Sequence, residues 1–232
     1  MKYLADRIVR DARRAYDENA DGGVFAGGFL TSDGGAYSSE EDAGSGTAER
    51  DGDTLTLDAL LRSKILEAVR ETHAAAPLRL LDEGKRFGGS LYWNGDGSGW
   101  TLLPDDFLRL VSFRMSDWSR SVTAAIGEED AAYALQSSAC RGVRGNWQKP
   151  VCAVVNRQEG KALEFYSCKD ETATVRRAAY IPWPEFDEYG GVEISGKCYP
   201  AAVYRLCALL ASSLGDDAKA QRMEALYNSQ LT

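Results

Sequence analysis

The sequence predicts an α+β fold, in which helices from both ends of the chain form a bundle and a mostly antiparallel β domain is inserted between them. Two observations favour this class. Near both ends, apolar residues recur every three to four positions, which is typical of helices that bury one face. Between residues 78 and 195 the period shortens towards two, and polar turn clusters separate short apolar stretches. We expect one domain over residues 1–232.

Four helices are predicted from the apolar period. In the first, the buried stripe consists of Leu4, Ile8, Ala12 and Tyr16. The third is apolar nearly all round and ends at Gly215, a residue that commonly follows the last turn of a helix. The four helices cover residues 2–17, 55–75, 199–214 and 216–229.

The β region contains short stretches that are rich in β-branched and aromatic residues and are bounded by turn signals. A short helix or irregular segment over residues 128–138 interrupts them. The predicted strands cover residues 78–81, 90–93, 100–103, 107–114, 119–125, 151–156, 162–167 and 173–181.

The strand over residues 107–114 is central to the interpretation. Strict alternation places Phe107, Arg109, Val111 and Phe113 on one face, and Leu108, Leu110, Ser112 and Arg114 on the other. Pro104 suits a position just before a strand because it lacks an N–H group. The two aspartates after it, Asp105 and Asp106, suit a turn that leads into the strand.

Residues 18–53 differ from the rest of the chain in composition. They are dense in Gly, Ser, Asp and Glu, and the aromatic residues among them are Phe25, Phe29 and Tyr37. Such a segment buries too little apolar surface to offset its ordering entropy. Two interpretations stay open: a flexible insertion, or a loop that becomes ordered when a partner covers its aromatic residues.

Composition excludes several classes of protein. The formal net charge of −8 argues against a main role in gripping nucleic acid, since such proteins need clustered Lys and Arg. Basic stretches at residues 141–149 and 176–177 carry only two or three charges each. The five cysteines are widely spaced, which argues against a disulfide framework or a zinc site and favours a reducing compartment. No apolar run approaches the roughly 18 residues that span a bilayer, so we expect a soluble protein without an export signal.

The candidate catalytic and metal-binding residues each have a structural explanation. His73 is the single histidine, and near the end of an amphipathic helix it is explained as a surface residue that interacts with the helix dipole. Asp105 and Asp106 point to opposite faces of an extended chain, so they do not share a site unaided. A degraded calcium-loop pattern is also explained by a hairpin turn; its residues are Asn94, Asp96, Ser98, Gly99 and Asp105. We therefore expect no enzyme, no cofactor and no metal.

The aromatic residues of the β half are more informative. The tryptophans are Trp93, Trp100, Trp118, Trp147 and Trp183. About half of such large rings are expected in a core. The segment 181–191, which contains Trp183 and Phe186 beside two prolines, is hard to bury as a regular element and favours a contact surface.

These features together resemble a known family. The order is an N-terminal helix pair, a strand LPDDFLRL followed by Trp118 and Arg120, a loop with Gly142, Gly145 and a Lys-Pro pair at 149–150, and the closing helices YPAAVYRLCALLASSLGDDAKAQRMEALYN. In this order they resemble the head-to-tail adaptor proteins of tailed bacteriophages, also called ring, gatekeeper or tail-tubular proteins, especially those of short-tailed phages. The resemblance covers most of the chain but not the segment 18–53.

The resemblance implies a non-enzymatic virion protein, made in the host cytoplasm, that forms a ring in the phage neck, commonly a dodecamer. The ring would join the portal to the tail or to further ring proteins and leave a channel through which DNA passes without specific binding. The acidic balance fits a conduit that repels phosphates. The alternative is a β-rich ligand-binding or hydrolytic domain with a site near Asp105, Asp106 and the tryptophans. The expected interface residues are Phe25, Phe29, Tyr37, Arg109, Trp147, Trp183 and Phe186.

Overall fold

The computed structural model describes residues 1–18, 57–138, 140, 142–166 and 168–232. Within these residues helices lie towards both ends and sheets lie between them, so the predicted α+β class is confirmed. The segment 18–53, with Phe25, Phe29 and Tyr37, lies outside the described residues apart from Glu18. The described helices are α1 (Ala5–Glu18), α2 (Leu57–Ala75), α3 (Ala131–Ala134), α4 (Tyr199–Ser213) and α5 (Asp217–Leu231).

The long helices share one apolar core. Buried residues from α1, α2, α4 and α5 belong to a single cluster, which Tyr3, Val192 and Ile194 extend beyond the helices. Asp216 begins α5 as its N-cap, with its side chain accepting the Lys219 N–H at 3.0 Å. The left-handed Gly215, with φ of +75°, makes the sharp connection from α4. These two residues explain why the closing helices are separated where the sequence predicts.

The first residues of the chain form a strand rather than the start of a helix, so the prediction for residues 2–4 was wrong. Strand β1 (Lys2–Leu4) pairs antiparallel with β10 (Gly191–Glu193), and Lys2 lies opposite Glu193. Leu4, expected in the buried stripe of α1, is exposed. A tertiary pairing between the two ends of the chain overrides the local helical period here.

Three sheets make up the β part of the described chain. The remaining strands are β2 (Lys85–Arg86), β3 (Tyr92–Trp93), β4 (Gly99–Leu102), β5 (Phe107–Met115), β6 (Ile126–Gly127), β7 (Cys152–Arg157), β8 (Gly160–Phe165) and β9 (Val175–Pro182). One sheet pairs β1 with β10, a second has the order β2-β9-β5, and a third has the order β3-β4-β8-β7-β6. The pairing is antiparallel except between β6 and β7.

The second and third sheets share a core. Phe113 and Tyr180 from the second sheet belong to the same buried cluster as Leu163 and Phe165 from the third. Phe113 lies 5.8 Å from Phe165, ring centre to ring centre, in a stacked arrangement. The sheets therefore pack face to face, separately from the helical core.

Strict alternation along β5 was a wrong prediction. Phe107, Leu110 and Phe113 are all buried in the core between the sheets, although in a regular strand Leu110 lies on the opposite face from Phe107 and Phe113. The register with β9 shifts three times along β5, and each shift is an irregularity that re-aims the following side chains.

Two other predicted strands were wrong. Residues 78–80 form a 3₁₀ turn, in which the Leu80 N–H donates to the Pro77 carbonyl at 2.9 Å and Leu80 and Leu81 pack on the helical core. Packing of these leucines on the helices replaces strand pairing. In residues 119–125 the ladder is a single bridge between Val122 and Phe113.

Helical segments also interrupt the sheets where the sequence predicts. Within residues 128–138, α3 continues into a 3₁₀ turn over Leu135–Ser137. Among the described helices, none combines the length and apolar character needed to cross a membrane.

Candidate functional site

A cleft lies where the helices meet the sheets. It has a volume of 290 Å³ and is bounded by the end of α2, the loop before β2, the turn before β5, the segment after β9 and both strands of the first sheet. Its polar lining includes His73, Asp82, Lys85 and Asp106. Part of the segment that the sequence predicts as a contact surface also lines the cleft, from Ile181 to Asp187.

Arg109 fixes the position of the helices relative to the sheets beside this cleft. Its Nη1 lies 3.2 Å from the His73 carbonyl oxygen, 2.9 Å from that of Ala74 and 2.5 Å from that of Ala76. The last carbonyls of a helix have no partner within the helix, and a cation there also interacts favourably with the helix dipole. Partial burial lowers the pKa of Arg109, which stays a cation at neutral pH. Arg109 is thus engaged within the chain, and its role in a subunit contact stays a prediction.

Asp105 and Asp106 are separated, as the sequence indicates. The turn is closed by the Phe107 N–H, which donates to the Pro104 carbonyl at 3.0 Å, and Asp105 is exposed. Asp106 faces the cleft, where its carboxylate accepts hydrogen bonds from the Tyr180 hydroxyl at 2.6 Å and the Lys85 ammonium at 2.9 Å.

These two bonds determine the charge of Asp106. Partial burial opposes its ionisation, but the hydrogen bonds from Tyr180 and Lys85 outweigh that effect and hold its pKa below the usual value. Burial and the neighbouring Asp106 carboxylate raise the pKa of Tyr180 to about 12. At neutral pH the cleft therefore presents an ionised, already partnered carboxylate beside a neutral phenol.

His73 is buried, so its interpretation as a surface residue was wrong. It is 5% exposed, because the segment around Ser195 covers the end of α2. Its Nε2 accepts the Ser195 N–H at 3.2 Å, while Nδ1 is buried without a described hydrogen-bond partner. Burial lowers the pKa of His73 to about 4, so the ring is neutral at pH 7. A neutral ring whose Nε2 already accepts a backbone bond is poorly suited to act as a general base.

The aromatic rim of the cleft consists of Trp183 and Phe186, and Tyr189 follows them in the chain without lining the cleft. Their exposed fractions are 39%, 41% and 83%. The Trp183 N–H donates to the Asp106 carbonyl at 2.7 Å, and the Arg70 guanidinium lies 5.5 Å from the centre of the Trp183 ring. Phe186 forms a bridge with Val192 of β10.

The backbone of the aromatic rim is held in place by Asp187. Its Oδ1 accepts the N–H groups of Tyr189 at 3.0 Å and Gly191 at 2.7 Å, and its Oδ2 lies 3.3 Å from the Lys2 ammonium. These bonds hold the pKa of Asp187 below its usual value. The rings of the aromatic rim are thus exposed on a backbone with fixed hydrogen bonds.

The tryptophans, all of which the structure describes, do not form one site. Trp183 lines the cleft together with Asp106, whereas Trp118 is buried in the core between the sheets. Trp100 stacks on Tyr92 with ring centres 4.1 Å apart. Trp147 is exposed beside Lys169, whose ammonium lies 4.5 Å from the ring centre. The cleft therefore combines one aspartate and one tryptophan of the predicted set.

The calcium-like pattern is a hairpin turn between β3 and β4. The Asn94 N–H donates to the Ser98 carbonyl at 3.0 Å, and Asp96 accepts bonds from both the amide and the hydroxyl of Ser98. The other oxygen of the Asp96 carboxylate pairs with Arg144 at 3.1 Å. Across the described residues, no group of three or more His, Cys, Asp or Glu side chains is arranged to hold a metal ion.

All five cysteines lie in the described part of the chain and are free thiols. Cys140 is exposed and the other four are buried. Burial raises the pKa of Cys168 to about 12 and that of Cys198 to about 11, so these thiols stay protonated at neutral pH and are poor nucleophiles.

Comparison with protein-family models gives no match to this chain, and comparison with curated proteins gives none either.

Proposed function

We propose that this protein is a structural subunit of the ring that joins the portal to the tail in a short-tailed bacteriophage. It assembles with copies of itself, contacts the portal and the tail or further ring proteins, and leaves a channel through which DNA passes. It works through surface contacts and carries out no reaction. The proposal rests on the resemblance of the ordered sequence features, above all the LPDDFLRL strand.

The position of that strand is the observation that supports the proposal. The resemblance implies a subunit with a helical part and a β part. In this chain β5 joins the two, because Arg109 at its start bonds to the carbonyls that end α2 while Phe113 lies in the core between the sheets. The strand that carries the resemblance is therefore also the strand that holds the two parts together.

The aromatic rim supplies a surface suited to assembly. Aromatic residues are enriched among the residues that dominate binding energy in interfaces, and rings on a fixed backbone lose little entropy when a partner covers them. Trp183 and Phe186 meet both conditions, since they are partly exposed and the hydrogen bonds of Asp106 and Asp187 hold their segment.

Electron microscopy of the purified protein, with and without the portal protein of the same phage, tests the proposal. We expect rings that contain this chain, at least in the presence of the portal. The double variant W183A/F186A is expected to lose ring formation while keeping the far-ultraviolet circular dichroism of the wild type. The control is Leu214→Ala, which removes an exposed apolar side chain at the end of α4. A protein that stays monomeric with the portal contradicts the proposal. Rings that survive the double variant contradict the role of the aromatic rim in assembly.

The second candidate is a ligand-binding domain, favoured by one observation. The 290 Å³ cleft is lined by His73, whose buried Nδ1 has no described partner, and a bound ligand with an acceptor atom would satisfy it. Thermal denaturation against a library of small polar metabolites tests this candidate. It requires a monomer whose melting temperature rises with ligand concentration, and that rise must disappear in His73→Phe.

A further inference from the structure

A second concavity, of 630 Å³, lies against the sheet formed by β2, β9 and β5. We call it the arginine groove. Its lining includes Arg86, Phe87, Arg114, Ser121, Arg176 and Arg177. Glu83 is the acidic residue in the same lining. In a chain with a formal net charge of −8, four arginines on one concave surface are a local reversal of charge.

Strand register brings these arginines together from distant parts of the sequence. Arg114 on β5 lies directly opposite Arg177 on β9, and Arg86 on β2 lies opposite Ala179, two residues further along β9. Residues two apart on a strand share a face, and so do residues directly opposite each other. Arg86, Arg114 and Arg177 therefore share the face opposite to that of Phe113 and Ala178, which are buried in the core between the sheets.

The charges of the groove are not neutralised within the described residues. Like charges directly opposite each other on neighbouring strands repel, yet no described carboxylate lies within ion-pair distance of any of the four guanidinium groups. Arg114 is fixed by its own hydrogen bonds, since its guanidinium donates to the Trp118 carbonyl at 3.1 Å. Arg86, Arg176 and Arg177 are exposed. These three guanidinium groups are therefore open to solvent, and an anion that reaches the groove can bind to them.

We propose that the arginine groove binds the phosphate groups of a single-stranded nucleic acid. A guanidinium group donates two parallel hydrogen bonds to a phosphate, and several along one surface follow a backbone of repeated charges. Phe87 supports a nucleic acid over an acidic protein segment. It is half-buried in the lining and is supported by Phe113, whose ring centre lies 6.1 Å away. Its ring packs on the core between the sheets, and the part of Phe87 that lines the groove provides a surface on which a base stacks.

This inference goes beyond the proposed function and does not depend on ring formation. Contacts to phosphate carry no direct information about base sequence, so the binding is independent of sequence. It adds a site on the subunit at which a strand is held through its backbone, in a protein whose acidic balance otherwise repels it.

Fluorescence anisotropy with a labelled oligothymidylate tests the proposal. The triple variant R86Q/R176Q/R177Q removes three groove charges and keeps Arg114, which has a structural role. The matched control R10Q/K149Q/K161Q removes three charges from exposed positions that do not line the groove. We expect the groove variant to bind at least about tenfold more weakly at low salt, and the control to bind within about twofold of the wild type.

Salt dependence gives an independent measure. The affinity for a single strand falls with salt by a logarithmic slope of about 0.7 per phosphate contacted, so four arginines predict a slope near −3 and the groove variant a slope near −1.

Equal losses of affinity in the groove variant and the control overturn the proposal, as does wild-type affinity in the groove variant. Competition by polyglutamate as effective as that by the unlabelled oligonucleotide also overturns it, and assigns the groove to an acidic protein. If the triple variant does not keep the near-ultraviolet circular dichroism of the wild type, Arg176→Gln and Arg86→Gln are measured singly, and each must weaken binding.

Discussion

Replacing Arg109 with methionine removes the cation that lies at the C-terminal end of α2 and keeps most of the apolar stem of the side chain. The guanidinium lies within 3.2 Å of three backbone carbonyls, those of His73, Ala74 and Ala76. Hydrogen bonds to a charged group contribute about 1.5–3 kcal/mol, and a cation at a helix C-terminus adds about 0.3–1 kcal/mol. Because the side chain is partly exposed, water replaces some of these bonds. We therefore expect Arg109→Met to lower the free energy of unfolding by about 2 kcal/mol.

Urea denaturation followed by tryptophan fluorescence measures this loss, and for a domain of this size it corresponds to a fall of about 4–8 °C in melting temperature. The control is Arg177→Met, on the neighbouring strand of the same sheet, where the arginine is exposed and faces the like charge of Arg114. That variant is expected to change the free energy of unfolding by less than about 0.5 kcal/mol. Equal effects of the two substitutions would falsify the claim that Arg109 holds α2 against β5.

Two further predictions concern the cleft. His73 has a pKa of about 4 in the folded chain, against an ordinary value of 6.5, so the unfolded chain binds more protons between these pH values. The contribution of neutral His73 to the free energy of unfolding is complete above about pH 6.5 and falls by roughly 3 kcal/mol as pH drops towards 4. Urea denaturation across this pH range measures the fall, and His73→Gln is expected to make the free energy of unfolding less dependent on pH. Asp106→Asn is expected to cost about 1–2 kcal/mol at pH 7, because it weakens the bonds to Lys85 and Tyr180, while Asp105→Asn stays within about 0.5 kcal/mol. Because folding lowers the pKa of Asp106, the contribution of its carboxylate to the free energy of unfolding should disappear as pH falls through that pKa. If Asp106→Asn is still destabilising below that pKa, the ionised carboxylate is not the stabilising group.

The long helices could be predicted from the sequence because their signals are local. Periodicity placed α2 and α4 within two residues of their observed ends, and Gly215 and Asp216 mark the junction before α5 with a left-handed residue and an N-cap. The turn at Asp105 and Asp106 was also predictable, since a proline followed by two aspartates favours a turn before a strand. In each case the deciding interaction joins residues that are close in sequence.

The features that the sequence did not reveal depend on contacts between distant residues. Residues 2–4 form a strand because β10 lies beside them, and His73 is buried because the backbone around Ser195, far along the chain, covers it. The apolar period of α2 does not indicate that another segment buries His73. The cleft was predicted in part: the sequence indicated the segment around Trp183 and the aspartate pair, but not that Asp106 and His73 line the same cavity.

The irregular register of β5 explains how one strand contributes both to the contact between Arg109 and α2 and to the arginine groove. In a regular strand Arg109 and Phe113 share a face, and Arg114 lies opposite to both. The shifts in register instead allow Phe107, Leu110 and Phe113 to enter the core while Arg109 reaches the end of α2 and Arg114 reaches the groove. Because each shift adjusts the strand locally, Arg109 and the pair of Arg114 and Arg177 have different partners, and substitutions of Arg109 and Arg177 should be additive. The change in the free energy of unfolding of the double variant R109M/R177M should equal the sum of the two single changes. A departure of more than about 0.5 kcal/mol would instead show that the arginine groove and the contact between Arg109 and α2 are energetically coupled.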